Sequence, residues 1–170
     1  QTLGAAPSLE RTRIAVRRVE ADTNRDGVQD GRDRVSLFLV DLAGQIEGRF
    51  LPEGWTTNSV DWASDGSFLI HTSSRDGGPE DIHQIEANAQ NNQPLLVTPS
   101  VRERGARIDT LVTRLVYERI DGLGVGKSEI WYFLSGNNQA QLTEGGTTGE
   151  VLEGTLYLVG SDAGPDFSPD

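Results

Sequence analysis

The 170-residue sequence contains no cysteine and no methionine. Without cysteine the chain cannot form a disulfide, a thiolate zinc site or a cysteine nucleophile. Because translation begins with methionine, we expect a chain that starts at Gln1 to be a processed form or a piece of a longer protein. No run of apolar residues is long enough to cross a bilayer, so the sequence predicts no transmembrane segment.

Positive charge is also scarce. The chain has 15 Lys and Arg against 26 Asp and Glu, which gives a net charge of -11. Phosphate binding needs clustered basic residues, so this composition argues against a nucleic-acid partner. The acidity suits a protein that holds a divalent cation, although it also suits a surface that only maintains solubility.

A repeated pattern organises the chain. Three segments each contain an apolar strand, a polar loop, a second apolar strand, a turn and a short closing strand. The closing positions Leu51, Val97 and Leu142 are 46 and 45 residues apart, an interval typical of one four-stranded propeller blade. The strands are rich in Val, Ile, Leu and aromatic residues, and no helical periodicity appears.

We therefore predict an all-β, β-propeller-like fold with about three four-stranded blades plus part of a fourth. The predicted blade-like units cover residues 12–54, 55–99 and 100–145, with a partial unit at 146–170 that includes an extra hairpin at 147–160. An ordinary β-sandwich with regularly spaced strands is the alternative.

Short motifs relate the chain to a known family. Residues 59–66 read SVDWASDG, residues 74–77 read SRDG, and residues 164–170 read GPDFSPD. The chain resembles the TolB-like propeller repeat, in which an aromatic residue is followed by Ser-Pro-Asp-Gly, an apolar strand and Ser-Arg-Asp-Gly; residues 63–64 are Ala-Ser where the family has Ser-Pro. The resemblance implies scaffold roles: Asp-Gly forms a tight reversal, and Trp62 packs between neighbouring blades.

An acidic loop carries the strongest functional signal. Residues 22–33 read DTNRDGVQDGRD and match the twelve-residue EF-hand-type calcium loop, with Gly27 at position 6 and Asp instead of Glu at position 12. Calcium prefers six to eight oxygen ligands, so alternate residues must converge on one point. The predicted ligands are Asp22, Asn24, Asp26, Val28 through its backbone carbonyl, Asp30 and Asp33.

The flanking segments RIAVRRVE and RVSLFLVDL both have the pattern of strands. The loop is therefore predicted to lie in a β-hairpin, between the second and third strands of the first blade, and not between two helices. Several carboxylates so close together would repel one another without a cation, which is the physical reason to expect Ca2+. A solvated acidic hairpin that tolerates Asp and Gly is the alternative.

No catalytic motif is present. The sequence lacks Gly-x-Ser-x-Gly and His-Glu-x-x-His, and the glycine-rich residues 122–128 are one residue short of a phosphate-binding loop. His71 and His83 are assigned packing or surface roles, and the acidic pair Glu80 and Asp81 has no evident companion site. We therefore expect no enzymatic activity.

The motifs predict a non-catalytic, calcium-binding propeller module, and the TolB-like resemblance implies that it binds a protein or another ligand in the cell envelope or outside the cell. The expected partner is another protein or the remainder of a propeller, because about three blades cannot close a ring; self-association through open strand edges is a further option. The alternatives are the propeller portion of a prolyl oligopeptidase-like hydrolase and an architectural surface protein. The family resemblance implies an extracytoplasmic location.

Overall fold

A computed structural model describes residues 2–8, 12–109, 114–121, 128–134 and 138–142. Within these ranges all regular secondary structure is β, in three four-stranded sheets. The first sheet contains β1 (Thr2–Pro7), β2 (Arg13–Val19), β3 (Val35–Asp41) and β4 (Ile46–Arg49). The second contains β5 (Trp55–Trp62), β6 (Phe68–Arg75), β7 (Asp81–Glu86) and β8 (Gln93–Leu96). The third contains β9 (Val101–Ile108), β10 (Arg114–Asp121), β11 (Ser128–Leu134) and β12 (Asn138–Gln141).

Each sheet is an antiparallel meander in which every strand pairs with its neighbour in sequence. The third strands of the three sheets begin at Val35, Asp81 and Ser128, which are 46 and 47 residues apart. This spacing confirms the predicted blade interval. No helix in the described ranges has the length and apolar character that a membrane crossing requires.

The boundaries of the sheets differ slightly from the predicted units. The first sheet begins at Thr2 and not near residue 12, because the sequence of β1, TLGAAP, lacks the large alternating apolar residues that mark a strand. The predicted closing position Val97 is exposed, whereas its neighbour Leu96 is buried. The partial unit at 146–170 lies outside the described residues.

The sheets pack face to face. One apolar core lies between the first and second sheets and contains Leu37, Leu39 and Leu69; a second core lies between the second and third sheets and contains Ile82 and Tyr117. Two successive cores of this kind are what stacked propeller blades require.

Trp62 joins the first two sheets as predicted. It is buried, its indole N–H donates to the backbone carbonyl of Ala6 at 2.8 Å, and its ring meets Phe50 edge-on with the centroids 6.5 Å apart. The Asp-Gly reversal that follows is also present, since the Gly66 N–H donates to the Ala63 carbonyl at 2.9 Å and Gly66 has a φ of 71°. A positive φ of this kind favours glycine.

Candidate functional site

The predicted calcium loop connects β2 to β3, as the sequence indicated. The two strands stay paired up to Val19 and Val35. At the base of the loop the Gln29 side-chain amide donates to the Val19 carbonyl at 3.3 Å. The loop is therefore anchored at the end of a β-hairpin.

The first half of the loop curls around a single tight turn. Asp22 accepts hydrogen bonds from the backbone N–H groups of Asp26 at 3.2 Å and Gly27 at 2.9 Å. Asn24 accepts from the Asp26 N–H at 2.9 Å, and Asp26 accepts from the Val28 N–H at 2.9 Å. Gly27 has a φ of 85°, as expected for the glycine position of such a loop. Three predicted ligand side chains are thus gathered on one turn.

Asp33 closes the loop from its far end and is only 3% exposed. One of its oxygens accepts from the N–H groups of Thr23 at 2.7 Å and Asn24 at 3.1 Å, and the other accepts from the Asp30 N–H at 2.9 Å. These backbone hydrogen bonds, the one from Asp30 foremost, lower the pKa of the Asp33 carboxyl. The ionised Asp33 carboxylate thus stabilises the loop conformation by accepting these backbone hydrogen bonds.

Arg32 provides a positive charge that the sequence reasoning did not anticipate. Its guanidinium lies 2.7 Å from an oxygen of Asp30 and 3.0 Å from an oxygen of Asp26. The hydrogen bonds from Arg32 lower the pKa of Asp30. Arg32 thus bridges two of the predicted ligands.

The predicted ligands therefore form two groups. Asp22, Asn24 and Asp26 share the first turn, while Asp30 and Asp33 stand at the end of the loop. In the part of the chain that the structure describes, no three Asp, Glu or His side chains converge into a group able to hold a metal ion. The Val28 side chain is exposed. The ligand predicted at this position is its backbone carbonyl oxygen. Coordination of calcium by these residues stays a prediction.

His71 and His83 are neighbours in the second sheet, directly paired across β6 and β7. Their rings stack with centroids 5.4 Å apart, and Trp55 packs edge-on against both. Burial lowers the pKa of His71 to about 4, so its ring is neutral at physiological pH. Its nitrogens meet the Ser73 hydroxyl at 2.8 Å and the Asn92 side-chain oxygen at 3.0 Å. Both histidines are buried and pack against Trp55.

The structure also creates an acidic cluster between the second and third sheets. Glu103 on β9 is 0% exposed, and its backbone N–H donates to the Glu80 carbonyl at 2.7 Å. Its carboxyl lies beside that of Asp81, and neither Glu103 oxygen has a well-formed hydrogen bond to any described group. In the folded chain Glu80 and Asp81 therefore lie beside Glu103, a neighbour that the sequence alone does not identify.

The environment of this cluster favours the protonated form of Glu103. Burial raises the pKa of Glu103 to about 7, and the Asp81 charge adds to the rise, while the Thr98 hydroxyl and the Arg119 charge oppose it. Burial raises the pKa of Asp81 as well. Tyr117 lies in the same region and donates its hydroxyl to the Gln139 side chain at 3.0 Å. A buried carboxyl beside a half-buried one, both with raised pKa values, is suited to sharing one proton with it.

The burial pattern of β9 shows why Glu103 is unusual. In β9 the buried positions include Val101, Glu103 and Ala106, so Glu103 occupies a position that faces the neighbouring sheet. An acid at an inward position of a strand is unusual unless it has a partner. The identity of that partner is a tertiary contact and could not be read from the alternation alone.

Comparisons with known proteins rest on the fold. No protein-family model and no curated protein matches the sequence. Among solved structures, the chain is similar to a putative TolB from Agrobacterium tumefaciens, with a TM-score of 0.67 and 11% identity over 84% of this chain and 50% of that one. It is also similar to TolB from Acinetobacter baumannii, with a TM-score of 0.62 and 18% identity over 86% of this chain and 33% of that one.

The chain is a partial β-propeller. A structure described as a nidogen/laminin complex is similar too, with a TM-score of 0.62 and 14% identity over 84% of this chain and 48% of that one. The chain spans half or less of the length of these structures. At such low identities the likeness concerns the fold alone, and it agrees with the TolB-like repeat motifs around Trp62.

Proposed function

We propose that this partial propeller is a non-catalytic, calcium-binding module that binds a protein or another ligand outside the cytoplasm. The main support for calcium binding is the arrangement of Asp22, Asn24 and Asp26 around the Gly27 turn. Calcium loops need this turn because alternate side chains must point to one side.

The electrostatics of the loop support the same assignment. Arg32 bridges Asp26 and Asp30, so a positive charge already lies beside these loop carboxylates. A divalent cation supplies more charge than one guanidinium and can be contacted by more oxygens. We infer that calcium displaces Arg32 from Asp26 and Asp30 when it binds.

The position of the loop suggests what the calcium does. Because neighbouring strands run in opposite directions, the loops that follow β2 and β4 lie at the same end of the first sheet. The β2–β3 loop is therefore at the end where the chain passes from the first sheet to the second. At this end the Asp76 N–H of the β6–β7 turn donates to the Gly54 carbonyl of the β4–β5 loop at 2.9 Å. A calcium ion would rigidify one rim of the propeller, where loops are available for a partner.

The extracytoplasmic location is part of the proposal. It rests on the TolB-like resemblance and on the Asp at position 12, whose shorter side chain suits a site of modest affinity. Such a site is filled where calcium is present at millimolar concentration, which is outside the cell.

The absence of catalysis is proposed because the stacked histidines are buried against Trp55, where a substrate cannot reach them.

Calorimetric titration of chelator-treated protein with calcium tests the site. We expect measurable binding and a higher melting temperature, and we expect Asp22→Asn to weaken binding by about tenfold because one charged ligand is lost. Asp76→Asn is the matched control, since Asp76 is an exposed acid in the equivalent hairpin of the second sheet. Absence of binding heat together with an unchanged melting temperature at millimolar calcium would refute the proposal.

A second variant tests the competition between Arg32 and calcium. Arg32→Gln keeps a polar side chain but removes the charge that contacts Asp26 and Asp30. Because an exposed ion pair of this kind is weak, we expect calcium affinity to increase by roughly threefold. An unchanged or lower affinity would show that Arg32 does not occupy the cation position.

A further inference from the structure

Asp-Gly pairs are the places in a protein chain where an aspartate isomerises most readily. The backbone nitrogen of the glycine attacks the side-chain carboxyl carbon of the aspartate, and glycine has no Cβ to hinder the approach. The sequence has five such pairs, which begin at Asp26, Asp30, Asp65, Asp76 and Asp121. The structure describes both residues of the first four pairs. These four differ in whether the reacting groups are free to meet.

Two of the pairs are protected at the glycine nitrogen. The Gly27 N–H donates to a carboxylate oxygen of Asp22 at 2.9 Å. The Gly66 N–H donates to the Ala63 carbonyl at 2.9 Å. A nitrogen held in this way cannot turn toward the neighbouring carboxyl carbon until its hydrogen bond breaks.

The pair that begins at Asp30 is protected at its carboxyl group. The Arg32 backbone N–H donates to one oxygen of Asp30 at 2.9 Å, and the Arg32 guanidinium donates to the other at 2.7 Å. These hydrogen bonds lower the pKa of Asp30. They therefore oppose isomerisation, because oxygen leaves the carboxyl group as water only when that group is protonated.

The Asp76–Gly77 pair has neither kind of protection. The Asp76 side chain is 72% exposed, and its contact with the exposed Arg75 guanidinium, at 3.4 Å, is of the weak surface kind. Among the described residues no acceptor binds the Gly77 N–H. The turn is closed by hydrogen bonds from the Gly78 N–H to the Arg75 carbonyl and from the Asp76 N–H to the Gly54 carbonyl, each 2.9 Å long. Neither of these bonds engages a reacting atom.

We propose that the Asp76–Gly77 pair is a site of spontaneous isoaspartate formation. The Gly77 nitrogen forms a bond to the side-chain carboxyl carbon of Asp76 and loses its proton, and the carboxyl group releases one oxygen as water. The product is a cyclic succinimide. Water then opens the ring at one of its two carbonyl carbons. Opening at the side-chain carbonyl restores aspartate, and opening at the main-chain carbonyl leaves isoaspartate, so no reactant other than water is needed.

The position of this site gives the modification a structural consequence. In isoaspartate the backbone runs through the side-chain methylene, which lengthens the chain between Asp76 and Gly77 by one carbon. The turn closed by Gly78 and Arg75 therefore loses its geometry. That turn belongs to the rim where the proposed function places a partner, so the effect on a partner rests on the proposed function, whereas the modification itself does not.

Peptide mapping by mass spectrometry tests the site. The calcium-free 170-residue chain is incubated in mildly acidic buffer, which favours protonated carboxyl groups, and isoaspartate is located by electron-transfer fragmentation. We expect the isoaspartate fraction at position 76 to exceed those at positions 26 and 65 at least about fivefold, because breaking one hydrogen bond at the glycine nitrogen costs a factor of this order. Equal fractions at positions 76 and 65, or no isoaspartate at position 76, would overturn the proposal.

Two variants check the chemistry and the protection. Asp76→Glu keeps the charge but does not readily form the cyclic intermediate, so we expect it to abolish the modification at position 76. Asp22→Ala removes the acceptor of the Gly27 N–H, so we expect the isoaspartate fraction at position 26 to rise about threefold or more while position 65 stays unchanged as the internal control. An unchanged fraction at position 26 would contradict the hydrogen-bond argument on which the choice of Asp76 depends.

Discussion

Replacing Glu103 with Gln should make the protein more stable at alkaline pH. Glu103 is fully buried between the second and third sheets and lies beside Asp81. Its pKa rises from 4.5 to about 7 in the folded chain, so the folded state binds the proton more tightly than the unfolded state does. The stability contributed by the protonated form is therefore present below about pH 4.5 and is lost as pH rises through about 7.

The size of the effect follows from the same shift. A rise in pKa from 4.5 to about 7 corresponds to about 3 kcal/mol in favour of the protonated carboxyl. Asp81 and Glu80 beside Glu103 are only half-buried, so solvent screening reduces the expected effect to about 1–2 kcal/mol. Gln has the shape of the protonated acid and can donate its amide N–H to Asp81, but it does not ionise.

Urea unfolding of the wild type and Glu103→Gln between about pH 3.5 and about pH 8.5 measures this effect. We expect a difference near zero at the acidic end and a gain of about 1–2 kcal/mol for the variant at the alkaline end. The variant is compared with the wild type at each pH because His71 and His83 also make stability depend on pH. Their pKa values are lowered in the folded chain, so they decrease the stability of both proteins as pH drops. Glu53→Gln, at an exposed glutamate, is the control.

A pH-independent difference between Glu103→Gln and the wild type would refute the reasoning, because it would show that Glu103 does not titrate differently in the folded and unfolded states. A loss of stability at pH 8.5 would refute it as well. It would mean that the charged carboxylate is stabilised by groups such as Arg119 more than it is repelled by Asp81.

Two further variants test the scaffold. Trp62→Phe removes the indole N–H that donates to the Ala6 carbonyl, so we expect a loss of about 1–2 kcal/mol in the free energy of unfolding; unchanged stability in urea would show that this hydrogen bond does not stabilise the junction of the first two sheets. Gly54→Ala should cost about 1–2 kcal/mol, because Gly54 has a φ of 91° and an added Cβ would lie 2.7 Å from an Asp76 oxygen. Gly48→Ala is the matched control, as an added Cβ there meets nothing within 4 Å, and an equal melting-temperature loss in both variants would contradict the strain argument.

Local patterns in the sequence are sufficient to predict most of the strands and their grouping into blades. Alternating apolar residues specify strands because successive side chains point to opposite faces of a sheet. The blade interval followed from the repetition of these strands, and the Gly66 reversal followed from backbone sterics. β1 was missed because its small residues and Pro7 produce no such alternation.

The candidate calcium loop was located by spacing alone, since its predicted ligands lie within twelve consecutive residues. What spacing could not provide was the position of Arg32 between Asp26 and Asp30. That position depends on how the second half of the loop folds back, and Asp33 controls this by bonding the N–H groups of Thr23 and Asp30.

By itself, the sequence determined most of the strands, the turns and the acidic loop, because each of these depends on residues that are near one another along the chain. Only the tertiary structure decided which residues meet across sheets. Glu103 and Asp81 belong to different sheets, and Trp62 reaches Ala6 across 56 positions of sequence. Such contacts depend on how two whole sheets pack, and that packing is set by the summed apolar surface of both faces, which no short motif encodes.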